Sequence, residues 1–363
     1  MLDRSCLEIF HRDLPYLKPT WRSAAGLFEG LLEKNAAAKL EAIASPPPDL
    51  AADALFRIAL PYNLQPGKAK KTIVFCTTEG GIVTNSMLAG MGVASIQEAL
   101  GEDVTIMTPS HWSKSGFLRS GVDESRLVVI PHGVDTNIYK PLPEAERIAV
   151  RRELGLEGYF AFLNIGILSP NKGIRPLLKA FAAIADRYPQ ARLVLKGADS
   201  MFESQKFLRE AAQAVLTEAE AAKVEPRLAY LGKSLSFAEM IRLYQAVDAY
   251  VSPYLAEGFN MPVLEAAACG LPVICTKGGP TDDFTHRDFA LPIESQLQPL
   301  AIAGETVFIL VPDLEHLINR MEQAIERSNF RQQARHAGPS FVAANFTWKQ
   351  VVNQLIDSFE FLA

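Results

Sequence analysis

No apolar run in this chain approaches the ~18–20 residues that a membrane-spanning helix needs. Cysteine is scarce: Cys6, Cys76, Cys269 and Cys275 form no C-x-x-C pair and no metal-ligand spacing. That excludes a disulfide scaffold and a zinc module. Reduced, mostly buried thiols and a cytoplasmic location are the expectation. An excess of positive charge is also missing. Residues 1–150 hold 15 Lys/Arg against 17 Asp/Glu, the remainder 21 against 24, for a net charge of −5. Neither part offers the basic face that nucleic acid or anionic lipid requires, so no nucleic-acid partner is expected and membrane contact is peripheral at most. Lys68, Lys70 and Lys71 form one basic cluster, in a Pro-Gly turn that reads as a solvated loop. Internal repeats and low-complexity tracts are absent. The start, Met1-Leu-Asp-Arg, carries charge too early for a secretory signal.

What remains is a globular chain of 363 residues, 48% hydrophobic and 21% charged, long enough for two domains with separate cores. The first part reads as strand Cys6–His11, helix Trp21–Ala44, a stiff Pro46-Pro-Pro48 connector, and strands Leu55–Leu60, Thr72–Cys76, Val104–Met107 and Leu127–Ile130. About five parallel strands are predicted there. Pro141-Leu-Pro143 marks the passage to a second domain. Beyond it the alternation is regular: strand Phe160–Gly166 and a helix to Tyr188, strand Ala191–Lys196 and a long helix, strand Leu228–Leu231 and helix Phe237–Val247. Such βα alternation calls for a doubly wound parallel sheet.

Chemistry concentrates between Tyr250 and Cys275. Pro253 breaks a buried strand, Gly258 and Asn260 supply a turn, Pro262 suits a first helical turn, and Gly270 closes the helix before strand Val273–Cys275. The loop therefore sits at the carboxyl end of a parallel strand, where ligands of open α/β sheets bind. Unpaired N–H groups at the helix start favour a phosphate by roughly 0.3–1 kcal/mol. Two carboxylates, Glu257 and Glu265, would repel it and suit vicinal hydroxyls instead, because an ionised carboxylate accepts two O–H donors side by side. Sugar and ribose at either side of a diphosphate satisfy the whole arrangement.

Glu257-Gly-Phe-Asn-Met-Pro-Val-Leu-Glu265, followed by Ala-Ala-Ala-Cys-Gly-Leu-Pro-Val, resembles the E-x₇-E signature of the retaining nucleotide-sugar glycosyltransferases of family four. The resemblance runs from about Val104 to the C-terminus. It implies an α/β fold of two Rossmann-like doubly wound domains facing a cleft (GT-B), here with a short N-terminal domain. The first domain would span 1–141, the second 142–346, and the terminal helix 347–363 would cross back to the first. The implied reaction is sugar transfer from a nucleoside-diphosphate sugar to an acceptor, a glycan, lipid or small molecule, with retention. No cofactor or metal is expected, because no carboxylate or His cluster has ligand spacing.

Residue by residue, the resemblance makes Glu257 and Lys172 the catalytic pair. Glu265, Gly258, Phe259, Asn260, Lys196, Gly278 and Gly279 become donor contacts, and Glu79 and Gly80 contacts from the first domain. Lys172 follows a strand and precedes Gly173, where a charge-assisted bond to a phosphate contributes roughly 1.5–3 kcal/mol. Ile167 stands where the family carries an Arg, so Lys196, Lys277 or Arg175 is left to take the second phosphate. No His follows strand Thr72–Cys76; Phe75-Cys-Thr-Thr-Glu-Gly80 stands there, with Glu79 as a polar replacement. Val128-Val-Ile-Pro-His-Gly-Val-Asp135 has His132 for the family Asn, and Gly133 is expected at positive φ. Two competing readings are a catalytically silent GT-B binding or scaffold protein, which the Ile167 and Cys76 departures suit, and a GT-B sugar-nucleotide epimerase, against which the E-x₇-E spacing argues.

Overall fold

The computed structural model describes residues 7–12, 34–89, 91–93, 95–200 and 202–360. Three sheets organise it. Strands β1 (Ala52–Ile58), β2 (Ala69–Phe75), β3 (Val104–Thr108) and β4 (Leu127–Val129) pair in parallel and in chain order. Among the described residues four strands stand where about five were expected. In the segment read as strand Cys6–His11, only Phe10 bridges Ala44, and Cys6 lies outside the described residues. Of the helix expected over Trp21–Ala44, the described part runs Lys34–Glu41, and 21–33 lie outside the described residues.

The second sheet holds β5 (Phe160–Ile165), β6 (Ala191–Lys196), β7 (Leu228–Leu231), β8 (Ala249–Ser252), β9 (Val273–Thr276) and β10 (Ala290–Ile293). Its order is β10-β9-β8-β5-β6-β7, all parallel. Strand order therefore reverses between β5 and β8. Loops leaving those two strands depart in opposite directions and leave a crevice at their carboxyl ends. The helix Ile174–Ile184 buries Ile174, Leu177, Leu178, Phe181 and Ile184 against this sheet, each contributing about 1.5–3 kcal/mol. It stops before the expected Tyr188.

A third element was not anticipated. β11 (Ser295–Ile302) and β12 (Glu305–Pro312) form an antiparallel hairpin closed by Ala303 and Gly304, both at positive φ, as a tight two-residue hairpin turn requires. The final described helix, Trp348–Glu360, packs Val351 and Leu355 against Ile73, Met107 and Ile130 of the first sheet. Thr347 bridges Val134 just before it. Gly133 is indispensable there for a reason other than the expected positive φ, since a Cβ would stand 2.7 Å from the Trp348 backbone nitrogen.

Loops after β2 and β3 meet loops after β5, β8 and β9, so the carboxyl ends of the two sheets face each other. Ser110 Oγ donates to the Gly258 carbonyl (2.6 Å), and the His111 amide donates to Asp283 (2.8 Å). His132 packs edge-on against Phe259.

Candidate active site

The crevice at the switch point is furnished from both of its sides. After β5, Ser169 opens a short turn, Pro170–Lys172, that ends on Gly173 at φ 70°. Any Cβ on Gly173 would lie 1.8 Å from the Pro253 carbonyl oxygen, so only glycine lets the two loops approach this closely. After β8, Pro253 ends the strand and the chain runs to Glu257 before the helix Met261–Ala268 begins. Lys172 Nζ and Glu257 Oε1 are 2.7 Å apart, with side chains 20% and 12% exposed. Burial raises the Glu257 carboxyl above its ordinary range, although the Lys172 ammonium pulls the other way and the Glu79 charge adds to the rise.

Asn171 ties the two loops together. Its carbonyl accepts from the Leu255 amide (2.7 Å), and its Nδ2 donates to the Ala256 carbonyl (3.0 Å) and to Glu79 Oε2 (3.2 Å). Glu79 thus reaches the same place from the first sheet. Trp112 holds its backbone by donating Nε1–H to the Glu79 carbonyl (3.0 Å), and the Gly80 carbonyl accepts from the Phe308 amide of β12 (2.8 Å).

Glu265 lies further along the helix, half-buried. Its Oε2 accepts the Tyr244 hydroxyl at 2.6 Å, and the Tyr139 hydroxyl lies close by. Burial raises this carboxyl as well, and the two hydroxyls offset part of the rise.

Lys172, Glu257 and Glu79 therefore come together as a group, while other residues singled out in the sequence do not join it. Phe259 is 4% exposed and stacks with Phe284, and Asn260, at φ 74°, donates its side chain to Ser252. These side chains turn inward and shape the loop, so any donor contact from Phe259 or Asn260 falls to the backbone. Gly258 abuts Thr77 in the loop after β2, which a Cβ would meet at 3.1 Å. Lys196 is 4% exposed and donates to the Gly197 carbonyl; burial lowers its pKa. Gly278 and Gly279 do not form an open cradle either. Asp282 takes the Gly278 amide (2.8 Å), and a Cβ on Gly279 would meet the Tyr254 hydroxyl at 2.6 Å and Leu310 of the hairpin at 2.8 Å. Lys277 pairs with Glu294, and Arg175 is exposed on its helix.

Sequence reading missed Asn171, Tyr139, Tyr244 and the hairpin. Only the hairpin left a signal, a Gly-containing two-residue break between apolar runs. A concavity of about 180 Å³ lies elsewhere, at the amino ends of β8 and β9 beside Asp248, Arg147, Arg331 and Arg335. Parallel sheets place ligands at the other end. Among the described residues no three His, Cys, Asp or Glu side chains converge as metal ligands would, and no helix is long and apolar enough to cross a membrane.

Two parallel sheets facing each other by their carboxyl ends, with the switch point of one at the junction, define the GT-B architecture. The structure of the Anabaena HepE protein in complex with UDP and glucose shares this fold with a TM-score of 0.62, 18% identity, and coverage of 80% of this chain and 71% of that one. Residues 160–326 match the family model Glycosyl transferases group 1, and the chain carries a domain of that family. Similar proteins include the mannosylfructose-phosphate synthase of Agrobacterium fabrum, 26% identical over 65% of this chain and 48% of its own length. A GDP-mannose-dependent monoacylated alpha-(1-6)-phosphatidylinositol monomannoside mannosyltransferase of Corynebacterium glutamicum is 27% identical over 81% of this chain and 72% of its own length. The chain thus spans about half the length of the first of these relatives.

Proposed function

We propose that the protein transfers a sugar from a nucleoside-diphosphate sugar to an acceptor, with retention at the anomeric carbon. The observation that carries this is the Lys172–Glu257 pair at the switch point, with Glu79 presented to it from the facing sheet. A diphosphate entering the crevice meets one ammonium and the start of the helix Met261–Ala268. Lys172 balances the negative charge that grows on the diphosphate as the bond from the anomeric carbon to its oxygen breaks. The acceptor oxygen forms the new bond on the same face, and its proton passes to the departing diphosphate oxygen. No protein nucleophile is then required, and the protein's contribution is position and charge. Glu257 and Glu79 offer carboxylates to sugar hydroxyls, and Glu265 offers one to the ribose. No resident metal takes part in this scheme.

The names of a relative and of a structural neighbour supply the first donors to try, GDP-mannose and UDP-glucose. Incubation with each, together with pooled glycan, lipid and small-molecule acceptors, should yield a product heavier by one sugar unit on mass detection, with chelator present or absent. Nucleotide binding with no product in any pool would favour the silent binding protein. Conversion of the donor's sugar without an acceptor would favour an epimerase.

A further inference from the structure

We infer that Asn171 is a positioning residue that couples contact between the two sheets to the alignment of Lys172 and Glu257. This deepens the transfer reading above and rests on it for its catalytic consequence. Asn171 is the residue before Lys172, and every polar group of its side chain is engaged. Its Oδ1 accepts the Ser169 hydroxyl at 2.6 Å. One Nδ2 hydrogen goes to the Ala256 carbonyl, next to Glu257, at 3.0 Å, and the other to Glu79 Oε2 at 3.2 Å. Its carbonyl takes the Leu255 and Ala256 amides at 2.7 and 3.3 Å. A single residue thus bonds the turn that carries Lys172, the loop that carries Glu257, and the facing sheet.

Other contacts between the sheets do not have this property. Ser110 with Gly258, His111 with Asp283 and Phe308 with Gly80 hold the halves together, but none bonds both loops of the switch point. The turn at Glu79 is already held on its backbone side by Trp112 and by the hairpin. The exposed carboxylate thus extends from an anchored turn and meets the Asn171 amide from the facing sheet. When the sheets meet, the amide is drawn into one orientation, and the two loops it bonds are set with it. A displacement of about 1 Å at such a centre costs on the order of 10²-fold in rate, so a small rotation of these loops is enough to matter.

The coupling predicts a pattern across variants. Asn171→Ala and Glu79→Ala should each lower kcat by roughly 30-fold, with Kd for UDP or GDP, whichever the wild type binds, changed by no more than about threefold. The double variant should be no slower than the slower single one, because both remove the same link. In the ligand-free protein, Asn171→Ala should speed amide hydrogen exchange in segment 78–81 by roughly fivefold or more. Multiplying losses in the double variant, or Asn171→Ala within about twofold of wild-type kcat, would overturn the inference. If the wild type moves no sugar from any donor, the transfer reading fails on its own. The exchange measurement then decides the coupling, and unchanged exchange at 78–81 rejects it.

Discussion

Lys172 Nζ stands 2.7 Å from Glu257 Oε1, and the two residues leave the second sheet from the neighbouring strands between which its order reverses. Neither partner dominates the pair. Burial raises the Glu257 carboxyl even with an ammonium against it, so the site holds a cation whose counter-charge is costly to keep. A diphosphate arriving here finds Lys172 already desolvated.

Removing either member should have opposite effects on binding and the same effect on turnover. Lys172→Ala should lower kcat by roughly 10²-fold, the usual consequence of deleting a charge-stabilising group. Ile167 replaces the family Arg, which leaves little to compensate. Glu257→Gln removes a negative charge beside the diphosphate and should tighten nucleoside-diphosphate binding by about tenfold while turnover falls. Steady-state kinetics and calorimetry read both. Lys172→Ala within a few-fold of wild type would move the diphosphate to Lys196 or Lys277.

His132 gives a pH dependence with a defined sign. Burial among Phe75, Phe259 and Trp348 lowers its pKa to about 4, from an ordinary 6.5. The unfolded chain takes up this proton as pH falls through 6.5, and the folded protein only near 4. The imidazole's contribution to stability is therefore complete above about pH 6.5 and is lost as pH falls towards 4. At ~1.4 kcal/mol per pKa unit the loss reaches about 3 kcal/mol. His132→Phe keeps an aromatic ring there and should flatten this part of the profile. Urea unfolding of both proteins at pH 7 and pH 4.5 measures it. Equal losses in the two would show that other groups carry the acid sensitivity.

Much of this fold could be read locally. Pro253, Pro262 and Gly270 set the β8–loop–helix–β9 unit, and the strand boundaries at Ala191–Lys196 and Leu228–Leu231 follow from apolar runs between turn residues. The switch-point pair could be named but not joined, because Lys172 and Glu257 are 85 residues apart in the chain. Phe259 and Asn260 show the opposite limit, that of side-chain direction. Residues inside a signature invite a ligand role, yet nothing in the spacing says which way a turn residue points. Asn260 adopts the left-handed conformation that short polar side chains tolerate, and its amide stays within the loop. The hairpin escaped because β11 is exposed along nearly its whole length yet carries Leu297, Leu300 and Ile302, so polar and apolar residues do not alternate by face.

Glu265 tests how far a signature residue can serve structure and ligand together. Its carboxylate accepts the hydroxyl of the fully buried Tyr244, and the Tyr139 hydroxyl lies close by. A carboxylate has about four lone-pair sites, so two tyrosines leave capacity for the two hydroxyls of a ribose. Glu265→Gln replaces one acceptor oxygen with a donor and removes the charge. With the amide nitrogen at the Oε2 position the Tyr244 hydroxyl loses its acceptor, at a cost to folding of about 1–2 kcal/mol, and ribose binding should weaken by roughly 1–3 kcal/mol. Tyr244→Phe separates the two roles, since it removes the structural donor and leaves the carboxylate. It should lower stability by about 1 kcal/mol or more with nucleoside-diphosphate affinity within a few-fold of wild type. Thermal unfolding and calorimetry on both variants give the comparison. If Glu265→Gln loses stability but binds the nucleotide as wild type does, the carboxylate is an anchor for the two tyrosines and the ribose is held elsewhere.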